Sequence, residues 1–174
     1  MNRAQLLKVE AGYIPGIAAG DIAWETRRFD AHGQSVEVAL PRLTPVQLEA
    51  LAASVRTAAR AKLAVMPVMT IVDAIDRSIA RMLNSGDPLR REMEALLPVV
   101  SGFDAEMTRL GLNAGLRAFR RPQLLRFLVE DFTDPTLLDD FRPRAKGGWT
   151  HTCGPALLAH VWAGNVPGLP LWSL

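Results

Sequence analysis

Alternating apolar and polar residues near the N-terminus predict a β-hairpin. Val36, Val38 and Leu40 alternate with polar residues, and this is the period of a strand with one buried face. The segment Trp24–Phe29 precedes them, and the intervening Asp30-Ala31-His32-Gly33 has the composition of a turn. The pattern therefore predicts two antiparallel strands joined by this turn.

Apolar residues that recur every three or four positions then predict a series of amphipathic helices. Thr44, Pro45 and Gln47 form a capping box for the first helix. Pro67 is expected to end this helix, and Pro98 is expected to end the third. The predicted helices open at Thr44, Thr70, Asp87-Pro88, Ser101 with Asp104, Pro122 and Asp134-Pro135. The residues expected to face inward in the first four helices are Leu48, Leu51, Ala52, Val55 and Ala59, then Ile71, Val72, Ile75, Ile79, Met82 and Leu83, then Leu89, Met93 and Leu96, and finally Phe103, Met107, Leu110 and Ala114.

The second helix has the clearest division into an apolar and a polar face. Its charged residues, Asp73, Asp76, Arg77 and Arg81, are expected to face water. The helix is expected to stop at Asn84-Ser85-Gly86, because Asn and Gly are typical of helix C-termini.

A nearly continuous apolar run, residues 156–163, lies between Gly154-Pro155 and Gly164-Asn165. Such a run is typical of a strand buried on both faces in a parallel α/β sheet. Ligands of these sheets bind beyond the carboxyl ends of the strands, so Asn165 is expected at a ligand-binding edge. The predicted organisation is an N-terminal hairpin region (1–43), a helical region (44–141) and a loop with the buried strand (142–174).

Composition and charge narrow the class of protein. The 174 residues are 49% hydrophobic, which is enough for a core, and the net charge of +2 is too small to indicate a nucleic-acid partner. No apolar run is long enough to span a membrane, and no metal-ligand spacing occurs. The sequence therefore predicts a cytoplasmic protein without a membrane span, a bound metal or a nucleic-acid partner.

The single cysteine, Cys153, lies close in sequence to His151 and His160. One interpretation is a Cys–His nucleophile. The favoured interpretation is a small buried or half-buried thiol without catalytic function, as is common for free cysteines.

Two basic segments also have two interpretations each. The loop from Phe141 to Trp149 contains Arg142, Arg144 and Lys146, and it either contacts a phosphate group of an anionic ligand or is a solvated linker. We favour the linker. A second cluster is favoured as a solvated face over a binding site, and its members are Arg117, Arg120, Arg121 and Arg126.

The stretch from Gly154-Pro155 through Gly164-Asn165-Val166-Pro167-Gly168 resembles the acyl-CoA reductase family of LuxC type, the fatty-acid reductases of bacterial luminescence, within the aldehyde dehydrogenase-like superfamily. Asn165 and Pro167 match the Asn-x-Pro element of that superfamily. Ala163 and Gly164 replace a proline and an aromatic residue, as expected for the reductase branch. The resemblance implies that Asn165 donates to an oxyanion. It also implies that the nicotinamide pocket is lined by Trp162, Ala163, Gly164 and Pro167.

The resemblance further implies the N-terminal part of an aldehyde dehydrogenase-like α/β fold, ending in the first strand of the nucleotide-binding sheet. The activity implied is reduction of an acyl thioester, from acyl-CoA or an acyl carrier, to an aldehyde through a cysteine thioester, with NADPH or NADH. The nucleophile is expected downstream, so this chain is expected to be an inactive fragment of a homo-oligomeric enzyme. The alternative is a non-catalytic helical interaction module or an inactive truncated relic.

Overall fold

The computed structural model describes residues 6–155 and 157–158, which form a mixed α/β structure with five α-helices and two small sheets. The strands are β1 (Leu6–Glu10), β2 (Ala23–Ala31), β3 (Gln34–Arg42), β4 (Arg142–Pro143) and β5 (Trp149–Thr150). The helices are α1 (Pro45–Lys62), α2 (Val68–Leu83), α3 (Pro88–Ser101), α4 (Ala105–Arg117) and α5 (Arg121–Phe132). Short 3₁₀ segments occupy Ala19–Asp21, Leu63–Val65 and Pro135–Leu138.

The chain divides into two compact units. The first contains Met1–Val55 and Pro88–Leu110, and the second contains Arg56–Asp87 and Gly111–Leu174. The boundaries therefore fall within α1 and α4 and between α2 and α3. The regions 1–43, 44–141 and 142–174 predicted above follow the order of elements along the chain, and as domains they stay a prediction.

The predicted hairpin forms the centre of the first unit. β2 and β3 pair antiparallel, and His32 (φ 53°) and Gly33 (φ 73°) form the two-residue turn between them. Two successive residues with positive φ give the turn the twist that suits a hairpin. The His32 ring Nε2 lies 3.0 Å from the carbonyl oxygen of Phe103, so this side chain connects the turn to the segment between α3 and α4.

A third strand completes the sheet, in the order β1-β3-β2, and β1 is parallel to β3. Leu7, Val36 and Phe29 lie in register across the three strands, and Val36 is fully buried. β1 was not predicted from the sequence, because a five-residue strand paired with a distant segment has no local signal beyond its own alternation.

Helix α3 contacts β2 and β3, and it does not end before Pro98 as predicted. It continues through Pro98 to Ser101, and Gly102 (φ 76°) then terminates it. Pro98 and Val99 are buried. The free energy gained by burying these apolar side chains compensates for the backbone hydrogen bond that is lost because proline has no N–H. Leu89, expected to face inward, is exposed.

The apolar row predicted to face inward was wrong for α4 and partly correct for α1, where Leu51, Ala52 and Ala59 are half-buried but Leu48 and Val55 are exposed. In α1, which begins with the predicted capping box of Thr44 and Gln47, no residue is buried. Phe103, Met107 and Leu110 are exposed, as is Ala114. The buried residues of α4 are instead Thr108 and Leu116, on a different side of the helix. α4 has more than one apolar row, and periodicity alone does not say which row has a packing partner.

The second unit has an apolar core where α2 meets the end of α4 and the segment that follows it. Ile79, Leu116 and Phe119 are buried together there. Five partly buried residues pack against them, and these are Ile75, Met82, Leu83, Ala118 and Leu124. The inward face predicted for α2 is therefore confirmed at these positions.

Carboxylates from other segments cap the N-termini of α2 and α5. Thr70, the predicted cap of α2, lies inside that helix, which begins at Val68. An Asp139 carboxylate oxygen accepts a hydrogen bond from the Val68 backbone N–H at 2.7 Å. Pro67 at the N-cap position has no side-chain donor or acceptor to do this, so the cap comes from a distant residue.

Asp76 does not face water as predicted but joins α2 to the start of α5. Its carboxylate accepts hydrogen bonds from Arg120 Nε at 2.5 Å and from the Arg121 backbone N–H at 2.8 Å. Asp73 accepts from Arg121 Nε at 2.9 Å. The Arg120 guanidinium, with the Arg121 backbone N–H, holds the pKa of Asp76 below its usual value.

We expect Asp76→Ala to lower the free energy of unfolding by about 1–3 kcal/mol, because the variant loses a helix cap and a charge-assisted pair together. The matched control is Asp73→Ala, which removes an exposed ion pair only and should cost less than about 1 kcal/mol. Denaturant unfolding of both variants measures the difference. Equal destabilisation by the two substitutions would contradict the capping role of Asp76.

The contribution of Asp76 should also depend on pH. Its pKa is lowered in the folded state, so its stabilisation is present above the unfolded value of about 3.9 and is lost as pH falls through the folded value. We therefore expect the stability difference between the wild type and Asp76→Asn to be constant near neutral pH and to shrink below about pH 4. Thermal unfolding across this range measures it, and a difference that grows on acidification would rule this out.

Candidate functional site

The short hairpin of β4 and β5 is attached to the 3₁₀ segment Pro135–Leu138 by polar contacts. Asp134 caps that segment, since its Oδ1 accepts from the Thr136 backbone N–H at 2.9 Å and from Thr136 Oγ1 at 2.6 Å. These two hydrogen bonds lower the pKa of Asp134, with a smaller contribution from the charge of Arg142. Arg142 Nε donates to Thr136 Oγ1 at 2.7 Å. The Thr152 backbone N–H donates to the Leu137 carbonyl at 2.9 Å, so both sides of the hairpin are held.

We call residues 144–148 the hairpin tip. The Arg144 N–H donates to the Gly148 carbonyl at 2.9 Å, and the Gly147 N–H donates to the Arg144 carbonyl at 3.0 Å. Gly147 (φ 85°) and Gly148 (φ 82°) adopt the left-handed conformation that glycine tolerates best. All five residues of the tip are exposed. The loop predicted between the helices and the last strand is therefore an ordered β-hairpin.

Cys153 is exposed, so its interpretation as a buried or half-buried thiol was wrong. Its Sγ lies 3.6 Å from His151 Nδ1, and the His151 ring packs against Phe141 at a centroid distance of 5.2 Å. The thiol lies in an open segment after β5 rather than in an apolar layer, which explains its exposure. The structure therefore brings together the cysteine and one of the two histidines of the nucleophile hypothesis.

Ion pairs neutralise most of the second basic cluster. Arg120 pairs with Asp76, Arg121 pairs with Asp73 and Arg126 pairs with Glu130. This arrangement agrees with the interpretation of the cluster as a solvated face. Pairing with acids from α2 was not predictable, because it depends on how α5 packs against that helix.

The residues with roles implied by the family resemblance lie outside the described residues. These are the proposed oxyanion donor Asn165 and the proposed cofactor-binding residues Trp162, Ala163, Gly164 and Pro167. His160 and most of the predicted strand 156–163 also lie outside them. Leu157 and Leu158 are described, and they are exposed and not in a strand. A strand buried on both faces needs neighbouring strands, and none pairs with these two residues in the described part of the chain.

No group of three or more His, Cys, Asp or Glu side chains within residues 6–155 and 157–158 is placed to hold a metal ion. No helix in that part of the chain has the length and apolar composition needed to cross a membrane.

The contacts that fix the hairpin were not predicted from the sequence. Asp134-Pro135 was predicted as a helix start, and the capping of this segment by Asp134 is the one contact of this region that the sequence indicates. The donation from Arg142 to Thr136 carries no comparable signal, because it depends on where the chain returns after the turn.

Comparison with protein families identifies one match. Residues 63–174 match the model of a family described as acyl-CoA reductase (LuxC). This range is more than half of the chain, and it includes α2 to α5, the β4–β5 hairpin and the Asn-x-Pro motif. Comparison with curated proteins and with solved structures gave no match.

We expect Cys153 to react with Ellman's reagent in the folded protein, because its side chain is exposed. The titration should release the equivalent of the single thiol without denaturant. A parallel titration in denaturant gives the total, and Cys153→Ala gives the background. Reaction only after unfolding would contradict the exposed position.

Proposed function

The chain belongs to the LuxC acyl-CoA reductase family, and from this we propose that it takes part in reducing an acyl thioester to an aldehyde. The observation that carries the proposal is the family match over residues 63–174. It includes residues 154–168, which contain the Asn-x-Pro motif. The mixed α/β structure of the described residues is compatible with the aldehyde dehydrogenase-like fold that we propose for the whole enzyme.

The reaction we propose has two covalent stages. A cysteine thiolate attacks the carbonyl carbon of acyl-CoA or of an acyl-carrier thioester, and the carrier thiol leaves, so that an acyl-enzyme thioester remains. A nicotinamide cofactor, NADPH or NADH, supplies the hydride that reduces this thioester. The aldehyde is then released as the cysteine thiolate is regenerated.

Asn165 is the residue of this chain to which we assign a chemical role. Its carboxamide offers two N–H donors without a net charge. Negative charge develops on the carbonyl oxygen when the thiolate attacks, and a donor aimed at that oxygen stabilises the transition state. We assign cofactor contacts to the neighbouring positions, which are Trp162, Ala163, Gly164 and Pro167. Gly164 has no Cβ, so the backbone there can approach a ligand closely.

A helical interaction module is the second candidate function. The observation that favours it is the number of exposed apolar side chains in the first unit, with Val46, Leu48 and Val55 on α1 and Met107 and Leu110 on α4. Exposed apolar patches often mark sites of protein association. Thioester-dependent oxidation of NADPH by the protein separates the two candidates, because only a reductase produces it.

We expect Asn165→Ala to lower kcat about 10²–10³-fold with little change in the affinity for NADPH, because the lost interaction belongs to the transition state. Asn165→Asp should be more severe, since a carboxylate of nearly the same shape places negative charge beside the oxyanion. Steady-state kinetics and cofactor titration of both variants measure this.

The matched control is Asn113→Ala, which removes an asparagine on α4 far from the motif in sequence and should leave kcat unchanged. Near-normal turnover in Asn165→Asp would remove the oxyanion assignment. Asn165 would then be a turn residue that satisfies local backbone groups.

We expect Cys153→Ala to leave formation of the acyl-enzyme thioester intact. Cys153 lies before the motif in sequence, whereas the family resemblance places the nucleophile after it. Transfer of a radiolabelled acyl group from acyl-CoA to the protein measures this step, and circular dichroism checks the fold. Loss of acyl transfer in a folded Cys153→Ala variant would identify Cys153, with His151 beside it, as the nucleophile.

A further inference from the structure

The hairpin tip carries two cationic side chains without acidic partners. Arg144 and Lys146 are exposed, and among the described residues neither forms an ion pair. The sequence from Gly147 to Leu174 contains no Asp or Glu. The positive charge of the tip is therefore not neutralised locally, unlike that of Arg120, Arg121 and Arg126.

The nearest acidic residues in sequence have other partners. Asp134 accepts hydrogen bonds from Thr136, and Asp139 accepts from the Val68 backbone N–H. Asp140 accepts from the Phe141 backbone N–H at 2.7 Å. These hydrogen bonds hold the carboxylates against backbone and hydroxyl groups, and among the described residues none of the three acids forms an ion pair with Arg144 or Lys146. The positive charge of the tip is therefore available to a ligand.

The backbone of the tip is open to a ligand. A Cβ built on Gly147 or on Gly148 would meet nothing within 4 Å. The missing side chains therefore leave space in which an anion can approach both the backbone and the two cations. The anchoring of Arg142 to Thr136 and of Thr152 to Leu137 holds the hairpin in place before any ligand binds, and this reduces the entropy cost of binding.

We propose that the hairpin tip, through Arg144 and Lys146, binds the phosphate monoester on the ribose of an adenosine nucleotide. The arginine presents a planar fork of N–H donors and the lysine a compact charge, and both suit a phosphate dianion. This inference rests on the proposed function, which supplies two ligands with this group. They are coenzyme A, with a 3′-phosphate, and NADPH, with a 2′-phosphate.

Binding of matched ligand pairs to the full chain tests the proposal. Isothermal titration at low salt compares CoA with dephospho-CoA and NADPH with NADH, so that each pair differs only in the phosphate monoester. In one of the pairs we expect the phosphorylated member to bind roughly 3–10-fold more tightly, as for exposed charge contacts. Preference within the first pair identifies coenzyme A as the ligand, and preference within the second identifies NADPH.

The variant Arg144→Ala/Lys146→Ala should remove this preference and leave the affinity for the ligand without the phosphate unchanged. The matched control is Arg91→Ala/Arg117→Ala, which removes the same charge from exposed arginines of α3 and α4 and should keep the preference. The preference should also weaken as salt is added.

Three results would overturn the proposal: equal binding within both pairs, no binding of any of the four probes, or a preference that survives in the double variant. Failure of the proposed function has a different signature. In that case the preference would persist while the enzyme failed to reduce acyl thioesters. Reduction of acyl-CoA and acyl-dephospho-CoA with equal KM, together with equal binding within the NADPH pair, would exclude the tip and leave the reductase assignment intact.

Discussion

The Asp76 carboxylate connects α2 to the beginning of α5, and the packing of the second unit depends on this connection. One side chain accepts a hydrogen bond from the Arg120 guanidinium and another from the Arg121 backbone N–H. It thereby neutralises the charge of Arg120 and accepts a hydrogen bond from one of the backbone N–H groups that have no partner within the first turn of a helix. The residues around this contact, Ile79 and Phe119, form the apolar core. Polar and apolar contacts therefore hold the same pair of segments together.

Carboxylates are used in the same way elsewhere in the second unit. Asp139 caps α2 and Asp134 caps the 3₁₀ segment that follows α5. Each of these acids satisfies a backbone N–H, and this matters most where a helix begins at a residue whose own side chain has no acceptor. A consequence is an uneven distribution of charge. The acids are engaged at helix starts, whereas Arg144 and Lys146 stay unpaired within the described residues.

The chain belongs to the LuxC acyl-CoA reductase family, and the matched range contains both the hairpin and the Asn-x-Pro motif. The hairpin precedes that motif directly in sequence, so a contact to the nucleotide portion of a ligand there would lie close in sequence to the proposed oxyanion donor Asn165. Cys153 lies between them, exposed and beside His151. The chemistry proposed for the family and the charge left on the tip thus fall in one stretch of about thirty residues, and such clustering is typical of loops that carry function on a rigid scaffold.

The sequence by itself determined the elements whose causes are local. The alternation of Val36, Val38 and Leu40 and the turn at His32-Gly33 give the hairpin. Thr44 and Gln47 cap α1, and Asp134 caps the 3₁₀ segment, because each cap joins residues only a few positions apart. The Asn-x-Pro motif was likewise enough to identify the family. Tertiary structure decided which surfaces are buried and which charges are paired. The row of Met107 and Leu110 is exposed although its period is helical, and Pro98 lies inside a helix because its surroundings bury it. Asp76 pairs with Arg120, although α3 and α4 separate the two residues along the chain. These outcomes depend on which distant segment packs against each surface. A local sequence pattern shows that a helix or strand has an apolar face, but it does not show which segment covers that face.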